Sequence, residues 1–243
     1  MKDLLKDKVA VLTGAGGGIG SAVAERLARH GMKVVLFGGR NREKLAAAQA
    51  AVEKHSPCLV LPGDVTEMEF ISRGIAETVK NFGGIDVLIN NAGAAQNTPF
   101  ENVSIEEFDR LMAINVRAPF LMMRAALPHL KKSEAAAIVN ICSVVSHSGY
   151  PMQSIYSASK HALLGLTKSL AREYCKEGIR VHAVSPGGVY TDMVKVSRPD
   201  LPPEGMIMPG EIADIVEFLL VHRGNAVIDE ILVHRVGKEP FLV

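Results

Sequence analysis

Two kinds of segment alternate along the chain. Short runs are apolar and β-branched at nearly every position: VAVLT (9–13), KVVLF (33–37), CLVLP (58–62), IDVLIN (85–90), AAIVNIC (136–142), IRVHAV (179–184) and AVIDEILV (226–233). Longer stretches between them carry apolar residues at helical spacing, among them IGSAVAERLARH (19–30), NREKLAAAQAAVEKH (41–55) and MEFISRGIAETVKNF (68–82), which end near Gly31, Pro57 and Gly83. A strand that is apolar throughout, instead of alternating, is buried on both faces. Strand–helix repeats of this kind predict an α/β fold: a doubly wound parallel sheet of about seven strands with helices on both faces. No linker or repeat divides residues 1–243, so one domain is expected. The stretch 192–209 breaks the rhythm. Its four prolines and three methionines predict a mobile loop with apolar, adaptable side chains.

Composition narrows the class. The 243 residues are 48% hydrophobic and 22% charged, with a formal net charge of +1, which gives no reason to expect a nucleic-acid partner. No apolar run approaches the ~20 residues of a membrane span, and the opening MKDLLKDK lacks the apolar core of a signal peptide. Cys58, Cys142 and Cys175 are far apart and form no CxxC pair. They read as free thiols in a reducing compartment, packed as small hydrophobes, and a cytoplasmic protein is expected.

The first chemical signal is TGAGGGIG (13–20), where a strand runs through glycines into a helix. Such a turn receives a pyrophosphate at the helix N-terminus, because glycine lets phosphate oxygens approach backbone N–H groups. The spacing is GxxxGxG, on Gly14, Gly18 and Gly20, and a plain tight turn remains an alternative reading. At the end of the second strand an acid would bind the adenosine ribose of NAD. Here the chain reads FGGRNR (37–42), with no carboxylate and with Arg40 and Arg42 following. A guanidinium suits a 2′-phosphate, so NADP(H) is favoured, with NAD possible; solvated arginines at a helix start are the plainer explanation. An aspartate introduced at Gly38 is expected to turn the preference toward NAD.

The second signal is YSASK (156–160). In a helix Tyr156 and Lys160 lie one turn apart on one face. A free phenol ionises near pH ~10, and a neighbouring ammonium favours the phenolate, so the pair reads as a proton-transfer device or as two polar residues on a helix surface. Tyr156, Lys160, Leu163, Thr167 and Tyr174 share that face; Ala158, Ala162, Gly165 and Ser169 lie opposite, and their small size permits close approach by another helix.

The glycine turn, NNAG (90–93) and YSASK, in this order on the predicted elements, resemble the short-chain dehydrogenase/reductase family, and among its members the 3-oxoacyl-[acyl-carrier-protein] reductases. The resemblance covers about residues 5–222. It implies a Rossmann fold, an NAD(P)-dependent oxidoreductase, a small-molecule carbonyl or alcohol substrate, and a homo-oligomer, commonly a homotetramer, joined through the Tyr156 helix and the one before it. It implies catalytic roles for Asn115, Ser143, Tyr156 and Lys160. Ser143 would bind the substrate oxygen, Asn115 would position a water behind Lys160, and Lys160 would also hold the nicotinamide ribose. It implies cofactor contacts from Thr13, Gly14, Gly18, Ile19, Gly20 and Arg40, from Asp64 and Val65 beside adenine, from Asn91, Ala92 and Gly93, and from Pro186, Gly187, Val189 and Thr191. No metal is implied; His147, His161 and His182 have no ligand spacing. Reduction of 3-oxoacyl thioesters and a non-catalytic NADP-binding regulator are the competing readings. The end of the chain, IDEILVHRVGKEPFLV (228–243), departs from the family pattern by lacking its glycine pair.

Overall fold

The computed structural model describes residues 4–39, 41–198 and 200–239. Seven strands form one parallel sheet in the order β3-β2-β1-β4-β5-β6-β7. In chain order the elements are β1 Val9–Thr13, α1 Gly18–Arg29, β2 Lys33–Gly38, α2 Arg42–Glu53, β3 Cys58–Pro62, α3 Met68–Phe82, β4 Val87–Asn90, α4 Ile105–Met112, α5 Ala118–Leu130, β5 Ala137–Ile141, α6 Ser154–Tyr174, β6 Arg180–Pro186, α7 Asp192–Ser197, α8 Pro209–Val221 and β7 Glu230–Val233.

Strands β1 to β6 feed both faces, which explains their continuous apolar pattern. In β1, Ala10 and Leu12 pack with α1, α2 and α8, while Val9 and Val11 pack with α3 and α5. Local signals fix the helix ends. Asn41 caps α2 by accepting the Lys44 N–H at 2.9 Å, Ser104 caps α4, and Gly83, at φ 90°, stops α3 in a conformation that favours glycine.

Three expectations need adjustment. The last strand begins at Glu230 and not at 226: Asp229 O accepts the Ala183 N–H of β6 at 2.9 Å, whereas Ala226–Ile228 lie outside the ladder and Ile228 O contacts the His182 ring at 2.6 Å. Residues 192–209 are not one irregular loop. Asp192–Ser197 form α7, Val189 bridges Ile207, and α8 starts at Pro209 in the first-turn position that proline tolerates. Cys175 is exposed, whereas Cys58 is half-buried and Cys142 buried; all three are free. Among the described residues no helix is long and apolar enough to cross a membrane.

Candidate active site

The strand order reverses direction between β1 and β4, where parallel sheets open a crevice at the carboxyl ends of their strands. Two loops meet there. Thr13 Oγ1 accepts the N–H groups of Asn91 (3.1 Å) and Ala92 (3.0 Å), and the Asn91 amide donates to the carbonyls of Thr13 and Gly14, both at 3.1 Å. This lacing presses the backbones so close that side chains would not fit. A Cβ on Gly14 (φ 67°) would stand 2.8 Å from Ala92 Cα, and one on Gly20 would stand 2.3 Å from Gly14 O. α1 then starts at Gly18 behind Gly17, with no side-chain cap and no acid in its first turn. Its first N–H groups therefore face the crevice with no side-chain partner, and with the helix dipole they favour an anion.

The crevice is a cleft of about 440 Å³. Ser143, directly after β5, enters it in extended conformation; its hydroxyl donates to Pro186 O at 3.3 Å and accepts the Val145 N–H at 3.4 Å. Tyr156 and Lys160 come from one face of α6, as their spacing predicts. The Lys160 ammonium donates to Ile141 O at 2.8 Å and lies 5.9 Å from the centroid of the Tyr156 ring.

Asn115 arrives differently. α4 and α5 are joined by a π-helical turn, Ala113–Arg117, of the kind that re-aims side chains at functional sites. It buries Asn115, whose amide donates to Ala94 O (2.9 Å) and Ser159 Oγ (3.0 Å) and whose oxygen accepts the Ala94 N–H (2.9 Å). Asn115 thus pins the 90–94 loop to α6, and the missing Cβ of Gly93 is what admits its oxygen: a Cβ there would lie 3.2 Å from Oδ1 and 3.8 Å from Lys160 Nζ.

Electrostatics depart from one expectation. Burial raises the Tyr156 phenol above its usual value, with the Ser143 hydroxyl pulling it back and the nearby Cys142 adding to the rise. Burial lowers the Lys160 ammonium. Lys160 is not among the groups that shift the phenol; its ammonium donates to the Ile141 carbonyl. The Cys142 thiol, buried beside them, is pushed up to about 11 and stays neutral.

Most residues singled out from the sequence share the cleft: Gly14, Gly18 and Ile19, the 91–93 loop, Ser143, Tyr156, Lys160, and Pro186, Gly187, Val189 and Thr191. Thr13 and Gly20 lie behind its wall and hold it together. Asp64, Val65 and Asn115 are not on the wall; Asp64 accepts the Thr66 N–H and hydroxyl at 2.9 and 2.8 Å, and Val65 is in the core beside α3. Arg40 lies outside the described residues. The wall also contains Asn41 and Lys44 at the start of α2, Tyr150 and Gln153 before α6, and His234, Arg235 and Lys238 after β7. Nothing in their local pattern marks them; only the fold brings them to this edge. Among the described residues no three His, Cys, Asp or Glu side chains group as a metal site.

This architecture has close counterparts. Residues 8–202 match the family model of the short chain dehydrogenases. The chain is 34% identical over 233 residues to an uncharacterized oxidoreductase of Staphylococcus aureus strain MW2, covering 96% of this chain and 99% of that one. Its fold superposes with a TM-score of 0.86 on a 3-ketoacyl-(acyl-carrier-protein) reductase from Brucella melitensis complexed with NADH, at 30% identity, covering 96% and 98% of the two chains. A metagenomic short-chain oxidoreductase in complex with NADP matches with a TM-score of 0.82 at 32% identity, covering 96% and 99%. The chain belongs to the short-chain dehydrogenase family, and it is an NAD(P)-dependent oxidoreductase.

Proposed function

We propose that the chain exchanges hydride between NADP(H) and a small carbonyl or alcohol, with Tyr156 as general acid and base. One juxtaposition carries this reading: Ser143, Tyr156 and Lys160 line the same cleft as the glycine turn. The residues present fit a dinucleotide. The uncapped start of α1 and the side-chain-free surfaces of Gly14, Gly16, Gly17 and Gly18 form a phosphate cradle, and Gly93 and the 186–191 turn leave room for the nicotinamide end. When bound, the nicotinamide supplies or accepts the hydride at the substrate carbon. The Ser143 hydroxyl then donates to the substrate oxygen, and Tyr156 gives that oxygen its proton in reduction or removes it in oxidation. A phenol at its ordinary value is already protonated at neutral pH, burial raises it further, and the protonated form is the one a reductase needs at the start of its cycle. Lys160, anchored at Ile141 O, would hold the ribose hydroxyls.

A preference for NADP over NAD is supported by the wall after β2, where Gly39, Asn41 and Lys44 provide no carboxylate. Lys44 is a cation at this end, paired with Asp192 across the cleft. A second reading, reduction of 3-oxoacyl thioesters, is favoured by the likeness to the Brucella enzyme. A non-catalytic regulator would have no need of this assembled trio. We further infer a homo-oligomer, dimer or tetramer, because Ala158, Gly165 and Ser169 on the far side of α6 are exposed and a Cβ on Gly165 would meet nothing within 4 Å. A panel of acyl thioesters, ketones, aldehydes and semialdehydes, followed by NADPH oxidation, tests the reading. At least one is reduced by the wild type, and none is reduced at a comparable rate by Tyr156→Phe.

A further inference from the structure

The end of the chain closes one side of the cleft. β6 and β7 pair in parallel with Pro186 opposite Val233, and Gly187 N donates to Val233 O at 2.8 Å. The chain leaving β7 therefore runs beside the chain leaving β6, which brings His234 and Arg235 next to Gly187 and Gly188 at the ligand-binding edge of the sheet. His234, Arg235 and Lys238 line the same cleft as Ser143 and Tyr156. A Cβ on Gly188 would stand 3.2 Å from Arg235 Cδ, 3.3 Å from Met206 Cε and 3.5 Å from Leu201 Cδ1. The half-buried arginine thus lays its aliphatic stem on the 187–188 turn, between two apolar side chains.

The charges around it are lopsided. Asp192 is the acid on the described wall, and Lys44 and Lys195 engage it. Arg198 is held by Asp200 through two bonds of 2.8 and 2.6 Å. Arg235 is felt by Asp200, whose carboxylate is already engaged, and among the described residues neither Arg235 nor Lys238 has an ion-pair partner. Lys238 instead stands 5.9 Å from the centroid of the Tyr150 ring, another wall residue. These cations lie beyond residues 8–202, so the family match does not account for them.

We propose that the substrate carries a carboxylate besides its reacting carbonyl or alcohol, and that Arg235 binds it with Lys238 at the mouth. This rests on the reductase reading and adds the substrate class. A planar guanidinium takes a carboxylate through two parallel hydrogen bonds, and a half-buried site strengthens them.

The test compares 2-, 3- and 4-oxo carboxylates with their methyl esters in the full chain, for wild type, Arg235→Met and Lys238→Met. Wild-type kcat/KM favours the free acid. Arg235→Met lowers kcat/KM for the acid at least ~10-fold more than for the ester, the scale of a lost charge-assisted hydrogen bond, and Lys238→Met acts in the same sense less strongly. The NADPH dissociation constant stays the same in both variants. Equal losses on acid and ester, a wild-type preference for the ester or for a coenzyme A thioester, or weakened NADPH binding would overturn the assignment. Reduction of neutral ketones with no acid preference removes this inference and leaves the reductase reading intact. If no carbonyl is reduced, titration of the NADPH complex with 4-oxopentanoate decides by fluorescence. Saturable binding that Arg235→Met abolishes supports the site, and no binding by the wild type refutes it.

Discussion

Lys160 shows what the site costs at the scale of one residue. Its ammonium is buried with one carbonyl partner, and burial depresses its ionisation. A lysine held below its unfolded value destabilises the fold wherever the unfolded chain carries the proton. That penalty is fully present below the folded value and vanishes as pH rises through the ordinary lysine value of 10.5. Lys160→Met should therefore melt about 2–4 °C higher at pH 7, the shift expected from ~1 kcal/mol in a chain of this size, while losing turnover and binding NADPH more weakly. The advantage should shrink toward pH 10; a variant that melts lower at pH 7 would contradict this. Gly38 carries a different lesson. Sequence favours it for an acid that would redirect cofactor choice, but a Cβ there would stand 2.4 Å from Leu45 Cδ1, inside the packing of α2 on β2. Gly39 has open space and lines the cleft. Gly39→Asp should shift the ratio of kcat/KM for NADPH over NADH toward NADH by at least ~10-fold, through repulsion of the 2′-phosphate. An unchanged ratio would show that this wall does not read the adenosine ribose.

Elements were legible where period and termination agree. α3 runs from Met68 to Phe82 as its apolar spacing and Gly83 predict, and Tyr156 and Lys160 share a cleft because α6 is a regular helix between them. Legibility failed where tertiary contacts decide. The π turn at Asn115 follows from no local residue; it is settled by bonds to Ala94 and Ser159, far away in sequence. α7 is short and sits among prolines, so no period reveals it, and the cations after β7 reach the cleft only through the β6 register. The α6 stripe gives a test at this scale. A Cβ on Gly165 would meet nothing within 4 Å, and Gly165→Arg replaces an exposed glycine with a better helix former, so the single chain should fold at least as well. If the stripe joins two copies, light scattering should show the wild type as dimer or tetramer and the variant shifted to monomer. An unshifted assembly would place the interface elsewhere.

At the scale of the whole molecule, one parallel sheet gathers two sets of residues at one edge. The reversal between β1 and β4 opens the crevice beside the glycine turn, and β5, β6 and α6 bring Ser143, the 186–191 turn and the Tyr156–Lys160 pair to the same cleft. The claim on which the rest depends is that Tyr156 moves the proton. Its most direct measurement is turnover of a verified substrate by Tyr156→Phe, with NADPH affinity determined in parallel. Turnover should be at least ~10²-fold lower with NADPH affinity nearly intact, since only a hydroxyl is removed. Wild-type turnover in that variant would reduce YSASK to a helix surface and contradict the mechanism.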